Sequence, residues 1–311
     1  MSTFALLSVV ATVLIGAGAS AAAPGSARRP DRGPAVRSDE LTSAELAAGD
    51  LVTQRATLGD RAADLAAARA EADRRRRSEA DLTALLTGYD GTGYVDLSVT
   101  VIDRKTGQRF DYADGRQFET ASVVKVDILA TLLLQAQRAG RTLSAREKSL
   151  AVAMIEHSDN DAASQLWTRT HGISTAVKTF GLTGTDPDGD GDWGLTETTA
   201  ADQARLVTGL ADPDGPVTDA DYLFDLMGNV DPDQDWGISA AARSGEVVAI
   251  KNGWLSRDTQ NGRWTVNSIG RITDADTDVS IVVLSRGHVS FAAGTDMVAA
   301  VARATRTYLG W

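Results

Sequence analysis

The stretch Tyr94-Val95-Asp96-Leu97-Ser98-Val99-Thr100-Val101-Ile102 alternates in a way that puts Val95, Leu97, Val99 and Val101 on one face. A period of two is that of a half-buried strand. The turn Lys105-Thr106-Gly107 follows, and Arg109 to Tyr112 returns as a second strand. Near the other end of the chain, Val247 to Lys251, Trp264 to Ile272 and Val279 to Leu284 read as three successive strands before a closing helix, Thr295 to Tyr308. Between them lie a strongly apolar helix from about Ser122 to Gln137 and helical stretches from Ser144 to Trp167 and from Thr199 to Leu210. Strands at both ends with helices between them predict an α+β fold with one antiparallel sheet assembled from the two chain ends.

Upstream of this block the composition changes twice. Residues 1–23 read as an export signal: Phe4 to Ile15 is apolar, and Ala19-Ser20-Ala21 fits a small-x-small cleavage site. No Lys or Arg precedes the apolar run, whereas Arg28, Arg29 and Arg32 follow it, so an uncleaved membrane anchor is the alternative. Residues 24–38 are rich in Pro, Arg, Ser and Gly and predict a disordered linker. Residues 39–77 favour helix, with Leu51, Leu58 and Leu65 seven apart and the basic run Arg74 to Arg77 as a solvated helix end. The main domain is expected over 78–311, with Ser78 and Asp81 marking a new helix start ahead of Leu82, Leu85 and Leu86.

The 311 residues, 43% of them hydrophobic, suffice for one sizeable core. No cysteine is present, which removes disulfides, thiolate metal sites, a cysteine nucleophile and lipid attachment through cysteine. A formal charge of -11 argues against a nucleic-acid partner, because phosphate binding needs a concentrated basic face.

Three short elements carry the chemistry: Ser122-Val123-Val124-Lys125, Ser158-Asp159-Asn160 and Lys251-Asn252-Gly253. On a helix start, Ser122 and Lys125 lie about one turn apart on the same face. A serine hydroxyl is a poor nucleophile until a base takes its proton. Lys125 serves as that base only if its pKa falls by roughly 3 units, which burial beside a second cation such as Lys251 accomplishes. Ser158 is placed to relay a proton, and Asn160 to hold a substrate amide or carbonyl. The backbone N–H of Ser122 and that of Trp254, just past Gly253 on an edge strand, are the expected oxyanion donors.

This ordered set resembles the serine β-lactamase and penicillin-binding protein superfamily, most closely the class A β-lactamase branch, over roughly Ser78 to Trp311. The resemblance implies a five-stranded antiparallel sheet with helices on both faces and a helical subdomain, the site lying between them. It implies Ser122 as the acylated nucleophile, Lys125 as general base, Ser158 as relay, Asn160 as a substrate contact and Lys251 as the charge that attracts a substrate carboxylate. No cofactor is implied; the substrate is a small molecule or peptide, a β-lactam or cell-wall peptide among them, and any membrane contact runs through an uncleaved N-terminal segment.

Two departures stand out. Asn252, expected with Gly253 and Trp254 to contact substrate, occupies the place of the usual Thr or Ser, and the stretch before Thr196-Glu197-Thr198-Thr199 contains no glutamate to activate a deacylating water, so a penicillin-binding or sensing protein with little turnover is the alternative to a hydrolase. The acids near it are Asp161, Asp186, Asp188, Asp190, Asp192 and Glu197. Asp186, Asp188, Asp190, Gly191 and Glu197 also match the spacing of an EF-hand calcium loop, although Pro187 is unusual there and no paired loop is evident. The readings that compete with catalysis are an ordinary N-capping serine with an exposed lysine, and a Ser-His-Asp hydrolase built on His157, His171 or His288, for which no G-x-S-x-G turn exists. Trp236, Trp254 and Trp264 either line the groove or pack in the core.

Overall fold

The computed structural model describes residues 43–91, 95–186 and 192–311. The expected signal, the linker and residues 187–191 of the calcium-type loop lie outside the described residues. The chain divides into two units, Met1–Ala63 and Asp64–Trp311. The first is helical over residues 43–63, where Leu51 and Leu58 are exposed.

The second unit carries the fold. In chain order the elements are α1 (Ser43–Tyr89), β1 (Asp96–Asp103), β2 (Gln108–Tyr112), β3 (Gln117–Glu119), α2 (Val124–Arg138), α3 (Ala145–Glu156), α4 (Asn160–Thr170), α5 (Ser174–Phe180), β4 (Glu197–Thr199), α6 (Ala200–Leu210), α7 (Ala220–Gly228), β5 (Val247–Arg257), β6 (Arg263–Thr273), β7 (Asp278–Arg286) and α8 (Phe291–Leu309). The helix start expected at Ser78 is absent, because α1 runs unbroken through it. Ser78 instead donates its hydroxyl to the carbonyl of Tyr308. The arginine run is accordingly mid-helix, with Arg75 paired to Glu79 at 2.6 Å. Leu65 is exposed, so the leucine spacing marks no buried face there, whereas Leu82 and Leu86 near the end of α1 are buried.

Among the described residues the main sheet has the order β2-β1-β7-β6-β5, all neighbours antiparallel. The two chain ends meet where β1 pairs with β7. The expectation of half-buried β1 needs correction: Leu97, Ser98, Val99, Thr100 and Val101 are all buried. One face packs Leu97, Val99 and Val101 with Leu82, Leu86 and the α8 residues Val298 and Val301. The opposite face meets a helical layer in which α2 is almost wholly buried. Covered on both sides, a strand gains burial from Ser98 and Thr100 only if their hydroxyls are bonded. Ser98 Oγ donates to the carbonyl of Ala113 at 2.9 Å and Thr100 Oγ1 to Asp111 Oδ1 at 2.9 Å.

The single helical stretch expected from Ser144 to Trp167 is broken into α3 and α4 at His157-Ser158-Asp159. Ser144 and Glu147 form a reciprocal capping box that starts α3. Asp159 accepts the amide of Ala162 at 2.6 Å and starts α4. That break sets Ser158 at the interface with the sheet.

Candidate active site

Ser122 lies in a 3-10 turn, Ala121–Val123, that runs directly into α2. Ala121 holds a left-handed backbone, φ 47, and so does Ser158, φ 53. Such conformations cost a non-glycine residue on the order of 1–3 kcal/mol and persist only where the surroundings enforce them. Part of that enforcement comes from Asn267 on β6. Its Nδ2 donates to the carbonyls of Glu119 and Thr120 at 2.9 and 3.1 Å, and its Oδ1 accepts the amide of Ser285 at 3.0 Å. Sequence reasoning missed Asn267, whose only signal is a polar residue buried in an apolar strand.

Strand alternation sends Lys251 and Gly253 of β5 toward α2, and β5 is the sheet edge as expected. A Cβ on Gly253 would lie 2.7 Å from the Thr120 carbonyl oxygen and 2.8 Å from the amide nitrogens of Ser122 and Val123. Glycine is therefore required by the approach of the serine-bearing turn itself. Gly253→Ala is expected to displace the Ser122 turn, slowing any covalent labelling of Ser122 by about 100-fold and lowering the melting temperature as well, because the clash is with main chain. Stopped-flow labelling beside a melting curve checks this.

Lys125 is fully buried. Its Nζ lies 3.0 Å from Ser122 Oγ, 3.1 Å from Ser158 Oγ, 2.6 Å from the Ser158 carbonyl oxygen and 2.8 Å from Asn160 Oδ1. The last two oxygens only accept, and they take both N–H bonds of a neutral amine. The lone pair is then left for a hydroxyl proton. Burial lowers the Lys125 pKa to about 7, against the opposing pull of Asp159. Lys251 is also fully buried, 3.0 Å from Ser158 Oγ and 3.1 Å from its neighbour's carbonyl. Burial first, and the nearby Lys125 second, push its pKa well below the ordinary lysine value. Ser122, Lys125, Ser158, Lys251 and Asn160 are thus brought together in one connected chain of contacts.

Asn252 and Trp254 point to the other face of β5. Asn252 is buried and donates to the carbonyls of Gln234 and Trp236 at 2.7 and 3.0 Å. The Trp254 ring packs 5.8 Å from Trp236 and 5.5 Å from Phe291, and Trp264 lies 5.6 Å from the same phenylalanine. Only the backbone of Asn252 and Trp254 is left to face a substrate. His157 contacts Asp231 at 3.0 Å, and His288 is buried beside Ser285 Oγ at 2.9 Å.

Among the described residues, no carboxylate hydrogen-bonds Ser122, Lys125 or Ser158. Asp161 is exposed in the first turn of α4, and Asp192 accepts the amide of Gly194 at 3.1 Å. Glu197 is exposed on β4, opposite Glu119. What does sit against Lys125 is Trp193, another residue that sequence reasoning passed over, with Nζ 4.9 Å from the ring centroid. The amide of Asp186 donates to the Glu197 carbonyl at 2.9 Å, which joins the two ends of the acidic loop. Among the described residues no group of three or more metal-ligating side chains is present.

Known proteins share this architecture. The model superposes on TLA-1 extended-spectrum β-lactamase with TM-score 0.65 at 15% identity, over 75% of this chain and 99% of that one. A mutant of PBP-A in its acyl-enzyme complex with penicillin G gives TM-score 0.62 at 16% identity, over 76% and 97%. A β-lactamase from Desulfarculus baarsii gives 0.60 at 20% identity, over 76% and 98%. By sequence the chain is 32% identical over 170 residues to the protein named "Putative lipoprotein LppW" in Mycobacterium tuberculosis and Mycobacterium bovis, covering 51% of this chain. The match spans about half of those relatives, 54% of their length. The model of the β-lactamase enzyme family matches residues 77–148 and 133–309, the span that holds the sheet, the helical layer and all three motifs, and the chain belongs to that family.

Proposed function

We propose that the chain is a serine acyl-transfer enzyme that takes an acyl group from a β-lactam or a related amide or ester onto Ser122 and releases it to water. The observation that carries this reading is the unbroken series Ser122 Oγ, Lys125 Nζ, Ser158 Oγ, Lys251 Nζ, with successive separations of 3.0, 3.1 and 3.0 Å. Two buried amines bridged by a hydroxyl are costly to a fold and useful to a proton transfer.

In this scheme Lys125 takes the Ser122 proton as Oγ attacks the carbonyl carbon. The amides of Ser122 and Trp254 hold the oxyanion. As the carbon–nitrogen bond breaks, the proton passes through Ser158 to the leaving nitrogen. Asn160 contacts the substrate amide, and Lys251 supplies positive potential for a carboxylate. Deacylation reverses the proton path: water attacks, the Ser122 ester bond breaks and the proton returns to Oγ.

A second reading has one observation in its favour. No carboxylate among the described residues is bonded to the site, so the ester is expected to outlive a turnover, as in a penicillin-binding or sensing protein. Location outside the cytoplasm is part of the proposal, supported by the apolar N-terminal stretch and by relatives named as a lipoprotein. No helix among the described residues is long and apolar enough to cross a membrane.

The test is to incubate the whole chain with a fluorescent penicillin and with p-nitrophenyl acetate, following intact mass and product release together. Mass added on the peptide containing Ser122 supports acyl transfer. Turnover that continues without Ser122 refutes it.

A further inference from the structure

We infer that Trp193 is a positioning residue that seals the Lys125 side of the acyl-ester against water, so that the adduct on Ser122 is long-lived. The inference rests on the acyl-enzyme reading above and adds what controls its lifetime.

Among the described residues, the amine is buried and crowded by oxygen contacts and one ring. Four oxygens lie within 3.1 Å of Lys125 Nζ, all supplied by Ser122, Ser158 and Asn160. The Trp193 ring covers Nζ at 4.9 Å. A water that both bonds this amine and reaches a carbonyl carried by Ser122 must displace one of these oxygens or the ring. Such a water is what a hydrolytic step needs, since proton transfer requires hydrogen-bond reach.

The indole is also fixed in place. Its Nε1 donates to Ser164 Oγ at 3.1 Å, and that hydroxyl donates to the Asn160 carbonyl at 2.9 Å. Trp193 is therefore fastened to the first turn of α4, the element that supplies Asn160 to Lys125. The Asp192 side chain holds the turn from below through the Gly194 amide. The ionisable groups that act on Lys125 and its neighbour are Asp159, at the start of α4, and Lys251 on β5. Neither is a carboxylate bonded to the seryl oxygen, so opening the ring side would leave Lys125 itself as the group that meets an incoming water. In that step water oxygen bonds the acyl carbon, the Ser122 Oγ–carbon bond breaks, and one water proton returns through Lys125 to Oγ.

The experiment follows loss of the Ser122 adduct after excess penicillin is removed, in the whole chain and in three variants. Trp193→Ala is expected to shorten the adduct lifetime at least about tenfold, with a loss rate that rises with pH through the titration of Lys125. Trp193→Phe is expected to restore most of the lifetime that Trp193→Ala loses, because a ring remains, and to match Ser164→Ala, because both lack the Nε1 to Ser164 tether. Ser164→Ala removes only the tether, is mild to folding, and is expected to shorten the lifetime by a smaller factor. Adduct lifetimes equal in the parent, Trp193→Ala and Ser164→Ala, with acylation intact, overturn the inference. Rapid turnover by the parent chain overturns it too while sustaining acyl transfer, whereas absence of any adduct with penicillin and with p-nitrophenyl acetate removes both readings.

Discussion

Ser122→Ala is expected to abolish covalent labelling while leaving the unfolding temperature within about 2–4 °C of the parent, the shift that 1 kcal/mol produces in a domain of this size. The asymmetry follows from where the hydroxyl sits. Ser122 is only half-buried, and its hydroxyl is bonded to Lys125. Truncation to alanine removes an oxygen that bears little structural load and leaves Lys125 with three other oxygens. The turn itself is held by main-chain contacts and by Asn267, which the substitution does not touch. Intact-mass analysis after exposure to penicillin, beside a melting curve, checks both halves. Labelling that survives at another residue assigns the nucleophile elsewhere.

Lys125 carries the second large effect. Lys125→Met is expected to slow acylation of Ser122 by roughly 10²–10⁴-fold, the usual worth of a positioned general base. In the proposed mechanism the neutral amine is the active form. With the Lys125 pKa lowered to about 7 by burial, acylation should rise as pH increases through neutrality and level off above it. The same shift makes a stability statement of definite sign. Between the native value of about 7 and the ordinary 10.5, the unfolded chain binds a proton that the native chain does not. Stability therefore increases with pH across that window, by about 1.4 kcal/mol per unit from this group. Lys125→Met removes this contribution, leaving the slope of the same sign from Lys251. Urea titrations at several pH values read the slope, and an acylation rate that stays flat from pH 6 to pH 9 in the parent refutes Lys125 as the base.

Much of the fold is legible in the sequence. The alternation of Leu97, Val99 and Val101 announces a strand, and the three motifs fall in order, the first on a helix start and the third on an edge strand, whereas the break that carries Ser158 is hidden in what reads as one helical stretch. The reading fell short where tertiary environment overrides a local rule. Ser98 and Thr100 look solvent-facing by alternation, yet a second layer of helices covers them. Ser78 looks like a cap, yet its hydroxyl is used by Tyr308 within a continuous helix. Asn252 looks like a substrate contact by its place in the motif, yet strand geometry turns its amide to the carbonyls of Gln234 and Trp236. Trp193 carries no motif at all. Its meaning comes from the distance to Lys125, and nothing local in Asp192-Trp193-Gly194 encodes that distance.

The pairing of β1 with β7 has a kinetic consequence. Asp96 lies opposite Arg286, 190 residues later, so the first contact of the sheet with its central partner closes nearly the whole domain. Loop closure of that span must be met before those contacts stabilise anything, which slows folding. The edge strand that carries Lys251 is hydrogen-bonded to β6, and β6 to β7. A chain that ends before Asp278 already contains the serine, both lysines and the relay hydroxyl. It lacks the strand that joins the two halves of the sheet, so full reactivity at Ser122 is expected to arrive late, once the last part of the polypeptide is in place.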